Sequence, residues 1–179
     1  MAYLEASSSQ NIEPELQCTM LRTVFRSLFV LAIFLVSACE SEQSSDHQLE
    51  VAERGAEVMP FDLDRTTHVF EKLDFGGRQQ VLSDDGDLEQ IESIRQHLEA
   101  QATLFSEGDF HNPAHIHGDA MPGLHDLVMA HERLQITFSS LSDGGQIEYF
   151  TEDSTLVPAV HKWFDAQLED HGHHAQDHH

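Results

Sequence analysis

Two cysteines, one tryptophan, two tyrosines and nine basic residues are all that 179 positions contain of these types. Cys18 lies in an acidic stretch near the start and Cys39 closes an apolar run, so nothing beyond residue 39 can form a disulfide, a thiolate metal site or a cysteine nucleophile. Nine Lys and Arg face 32 Asp and Glu, for a formal charge of −23. Such a chain repels phosphate backbones, which excludes nucleic acid as a partner, and it attracts cations. The sequence also has no H-E-x-x-H pair, phosphate loop or nucleophile motif.

What the chain does have begins with Arg22 and Arg26, an apolar run from Leu28 to Val36, and the small residues Ser37 and Ala38 before Cys39. Charged, apolar and small regions in that order make a secretory signal. The apolar run is well short of the roughly 20 residues that span a bilayer. Val36-Ser37-Ala38-Cys39 resembles a bacterial lipobox. The resemblance implies cleavage before Cys39, lipidation there, and a place on the periplasmic side of the envelope. Glu40 in the next position points to the outer membrane. The expected organisation is an upstream extension over 1–19 with Met20 as the start, a signal peptide over 20–38, and an acidic flexible tether over 39–58. A single domain follows over 59–170, then a disordered tail over 171–179.

Within the domain one pattern occurs twice, from Val69 to Gln101 and from Ile136 to Gln167. Gly76-Gly77 and Gly144-Gly145 each sit between short β-prone runs, as hairpin turns do. Leu88, Ile91, Ile94, Leu98, Ala102 and Phe105 then fall on one helical stripe, as do Leu156, Val160, Trp163, Phe164 and Gln167. These patterns predict an α+β domain. Two hairpin-helix (ββα) repeats form a four-stranded antiparallel sheet with both helices on one face. Residues 108–133 lie between the copies as an insertion.

Fourteen histidines stand out on this acidic background. His111, His115, His117, His125 and His131 fall in the insertion with Met121 and Met129, and His171, His173, His174, His178 and His179 fall in the tail. Imidazole suits Zn, Cu and Ni, and thioether sulfur adds a preference for copper. Alternation puts His115 and His117 on one side of an extended segment, with Met121 following. His125 and Met129 share a face of a short helix over 124–131. The expected metal ligands are therefore His115, His117, Met121, His125, Met129, His131 and His161, with His171, His173 and His174 gathering ions in the tail. His161 is expected to pair with Asp165, and His68 and His97 to lie at the surface.

From Met59 to the tail the chain resembles a group of small exported bacterial proteins. VMPFDLDRTTHVF, IHGDAMPGL and HKWFDAQLEDHG carry the likeness. Members of that group often bear the label aspartate carbamoyltransferase. Phe61 to Glu71 looks like that enzyme's carbamoyl-phosphate loop, with Leu63-Asp64 where Ser-Thr should stand. That departure removes two phosphate-cradling hydroxyls and adds a repelling charge. The expected function is a lipid-anchored, non-enzymatic protein that binds or buffers a transition metal, copper first and zinc or nickel second. A protein-interaction module at the outer membrane is one alternative, and a metal-dependent enzyme is the other.

Overall fold

A computed structural model describes residues 46–178. The upstream extension, the signal peptide, the lipidation site Cys39, the first part of the tether and His179 lie outside the described residues. Helix α1 covers 46–58. A hairpin of β1 (Thr66–Leu73) and β2 (Gly76–Ser83) leads to α2 (Leu88–Ser106), and α3 (His111–His117) and α4 (Leu124–Ala130) come next. A second hairpin, β3 (Gln135–Ser140) and β4 (Gly144–Phe150), precedes α5 (Val157–His171) and β5 (Ala175–His178).

The domain is α+β with a five-stranded mixed sheet in the order β3-β4-β2-β1-β5, in place of the expected four-stranded antiparallel one. β1 through β4 pair antiparallel, and β5 adds parallel to the outer side of β1, with His68 opposite Ala175 and Phe70 opposite Asp177. The added strand comes from the tail expected to be disordered. Gly172, at φ 54°, ends α5, and a short 3-10 turn over Gly172–His174 brings the chain back along β1. Lys72 then ties strand to helix and tail through Asp165 at 2.5 Å and Asp177 at 3.6 Å.

One face of the sheet is apolar and covered. Gly77 sits beneath Phe164 of α5, and Gly145 sits beneath Leu98 of α2. Ile147, Tyr149 and Phe70 on the same face are fully buried. The other face carries Arg78 between Glu71 and Glu148, and Gln80 paired with Gln146. An antiparallel sheet with one wet face takes this alternation. Helix α2 follows its apolar stripe, with Ile91, Ile94, Leu98, Ala102 and Phe105 all buried, and Asp87 caps it by accepting from the N–H groups of Glu89 and Gln90. Leu88 alone of the expected stripe is exposed.

The expected tether is also corrected over 46–58, where it is helical. Val51 of α1 is only 1 % exposed. His47 reaches Asp170 at 2.9 Å, and the Gln48 amide donates to the Glu169 carbonyl at 2.8 Å. These few contacts are spaced one helical turn or so apart, which outweighs the polar composition.

Gly123 brings α4 against α5. Its φ is +81°, and a Cβ there would lie 2.2 Å from the Ala159 carbonyl oxygen. Gly123→Ala is therefore expected to destabilise the fold by more than about 1 kcal/mol, through both strain and clash. Urea unfolding would read this as a lowered midpoint. An unchanged midpoint would mean that α4 can move away from α5 at no cost.

Candidate functional site

The expected cluster in 108–133 does not assemble as foreseen, because the segment holding His115 and His117 is helical rather than extended. Pro113 stands in the first turn of α3, where it needs no N–H, and Asp109 accepts from the His111 N–H just ahead of it. Two residues apart on a helix is a half-turn, so the two histidines diverge. His115 is exposed beside Glu57 at 3.4 Å, with the His111 ring 6.2 Å away, whereas His117 is buried. Met121 belongs to the hydrophobic core, and His125 and Met129 are exposed on α4. His131 donates from Nδ1 to the Val128 carbonyl at 2.9 Å.

His161 does not pair with Asp165, which is taken by Lys72. Its Nε2 lies 3.0 Å from both the Leu73 and Gly76 carbonyls. Carbonyls only accept, so this nitrogen carries the proton and the ring pins α5 to the β1–β2 turn. In the tail, His173 and His174 touch each other, and His174 Nε2 lies 3.7 Å from Asp64.

A different set of imidazoles meets inside the protein. His68 from β1 stacks on His171 at the end of α5, with ring centroids 4.8 Å apart and planes 11° from parallel. His117, the last residue of α3, meets the same His171 edge-on at 5.0 Å. His117 Nδ1 lies 2.8 Å from Asp170, whose other oxygen takes His47 at 2.9 Å. The carboxylate can only accept, so Nδ1 of His117 is the protonated nitrogen, and in the neutral ring Nε2 keeps its lone pair. A carboxylate behind an imidazole is the arrangement that orients metal-binding histidines.

The electrostatics follow from burial. His68 is 3 % exposed, and desolvation, with the nearby His117, His174 and His97, lowers its pKa to about 4. The His171 ring is held well below the ordinary imidazole range by burial and then by His68, His117 and His174. His97, edge-on to Phe61 at 5.5 Å, is lowered to about 4 by burial. Burial pushes the Asp170 carboxyl up, but the hydrogen bond and charge of His117 and those of His47 outweigh it, so the carboxyl is held below its usual range.

His68 and His171 form a wall between two spaces. On one side is a groove of about 420 Å³ under α1, bordered by Asp64, Asp170, His173 and His174. On the other is a cavity of about 50 Å³ between the sheet, α2, α3 and α5. Among the described residues no three His, Asp or Glu side chains already stand in an arrangement that could hold a metal ion.

The sequence reading missed His68, His97, His47 and Asp170. A signal for His68 existed: Thr66, His68 and Phe70 alternate along β1, and all three are buried. Comparison with known proteins gives no matching family model, no similar curated protein and no similar solved structure.

Proposed function

We propose that this is a lipid-anchored envelope protein that binds a transition metal through His68, His117 and His171. One observation carries the reading: three imidazoles from distant segments are in ring contact inside the domain, and one of them is already oriented by Asp170. Neutral imidazole is the metal-binding form, and burial keeps His68 and His171 neutral. Centroid separations near 5 Å suit rings sharing an ion, given ligand bonds of about 2 Å. Because the His68 and His171 planes are stacked within 11° of parallel, these rings must turn before both aim a nitrogen at one ion. The three contain no thioether, so the site favours zinc, nickel or copper(II) over copper(I).

The groove under α1 supplies the approach, because Asp64, His173 and His174 border it and would pass cations inward. The lipid anchor rests on Cys39 and the apolar run before it. The two hairpin-helix units are read as copies of one unit, and α3 and α4 as the insertion that delivers His117. Catalysis has no support in this arrangement beyond the metal itself.

Titration of the purified full-length protein with Zn, Ni and Cu(II) tests the proposal. Micromolar or tighter binding is expected to persist after His173, His174, His178 and His179 are all replaced by alanine. Binding that disappears with those four residues would assign the metal to the tail and overturn the proposal.

A further inference from the structure

The small cavity on the far side of the histidine wall has an unusual chemical lining. Among the described residues no Asp, Glu, Lys or Arg borders it. His97, which borders it edge-on to Phe61, is kept uncharged at neutral pH by burial. Trp163 and Gln167 line it from one side of α5, one helical turn apart. Trp163 is 1 % exposed and Gln167 4 %, yet among the described residues neither the indole Nε1 nor the amide Nε2 has a hydrogen-bond partner. Buried donors without partners are rare, and each costs the protein its full desolvation penalty. These two donors, with the unpartnered Nδ1 of His68 on the same cavity, point to a guest that accepts hydrogen bonds.

The chemistry of the guest follows from the walls. An indole N–H can only donate, so the guest must present an acceptor atom. A carboxylate or phosphate would enter with no counter-charge, and burying an unpaired ion is prohibitive. Leu98, Phe105, Ile116 and Ile147 supply apolar contact for the rest of the molecule. The cavity measures about 50 Å³, room for about three to five water-sized groups on a scale where one water needs roughly 10–15 Å³.

We propose that this cavity binds a small uncharged molecule bearing a carbonyl-type oxygen, which accepts from Trp163 Nε1 and Gln167 Nε2. The proposal depends on these donors and walls; because His68, His117 and His171 also border the cavity, it is tested without metal. Trp163 is the chain's single tryptophan, so its fluorescence and its one indole N–H resonance report on this cavity alone. The test uses chelator-treated full-length protein titrated with N-methylacetamide, and with acetate and methylammonium as charged probes small enough to enter wherever the amide does.

N-methylacetamide is expected to move the indole N–H resonance saturably, and the two ions are not. Gln167→Leu is expected to weaken the binding about fivefold, as loss of one neutral hydrogen bond does. A resonance that never saturates would show that the cavity holds only water, and an equal response to acetate would contradict its neutrality. Either result overturns the proposal, and both are read on the wild-type chain even if the variant fails to fold. Metal binding is absent from this experiment, so its outcome and that of the metal titration are independent.

Discussion

The double substitution His117→Ala, His171→Ala is expected to lower affinity for Zn, Ni and Cu(II) by at least about a hundredfold. Removing two of three ligands leaves a single imidazole, and even the loss of an orienting partner costs about 10- to 100-fold. The paired control is His115→Ala, Met121→Ala, the residues that a purely sequential reading would choose. That control should bind metal as the wild type does, because His115 is exposed beside Glu57 and Met121 packs in the core. Met121→Ala will itself destabilise the fold, by about 2–5 kcal/mol for a buried methionine, so affinities must be compared well below the melting temperature. Asp170→Asn is the finer probe. It keeps the shape but replaces the acceptor of both His47 and His117. Calorimetric titration separates these cases, and a control that loses binding while the double variant keeps it would return the site to the insertion.

The second large effect is on stability against acid. The metal-free protein is expected to lose stability steadily from about pH 6.5 down to about pH 4. The sign follows from linkage. In that range the unfolded chain's imidazoles take up protons near 6.5, while the folded His97 stays neutral until about 4. The unfolded state then binds more protons, and stability falls as pH falls. A shift from 6.5 to about 4 is worth up to about 3 kcal/mol, less to the extent that the ring keeps some solvent. His68 and His171, also held low by burial, act in the same direction. His97→Leu should flatten the slope without steepening it elsewhere. Urea midpoints measured between pH 4 and 8 check this, and equal midpoints at pH 7 and pH 5 would mean that these rings are charged in the folded protein.

Much of the fold could be read from local pattern. The 3.6-residue spacing of Ile91, Ile94, Leu98 and Phe105 marked α2. The glycine pairs located both hairpins but not their turns: Gly76-Gly77 and Gly144-Gly145 open β2 and β4, where Gly77 and Gly145 make room for Phe164 and Leu98. What could not be read was non-local. β5 forms by parallel pairing with a strand about a hundred residues earlier, and nothing in Ala175-Gln176-Asp177-His178 announces it. Helix α1 is polar along most of its length and is held mainly by Val51, His47 and Gln48, with Glu57 beside His115.

The sequence named His117 and His171 as candidates but not the ring His68 that meets His171, nor the Asp170 carboxylate that holds His117. The neighbours expected for His117 were misjudged because the phase was wrong. His115 and His117 share a side in a strand and diverge in a helix. Pro113 and Asp109, whose carboxylate accepts from the His111 N–H, were the available signs that a helix begins there. His68 was hidden by its neighbours, since a lone histidine after Arg65-Thr66-Thr67 reads as surface until the strand's buried face is known.

Anomalous diffraction from crystals of the full-length protein loaded with zinc tests the central claim most directly. The account predicts one strong peak enclosed by His68, His117 and His171, within about 2.0–2.1 Å of an imidazole nitrogen from each. A peak at His115, His125 or the tail, with none among these three rings, would contradict it.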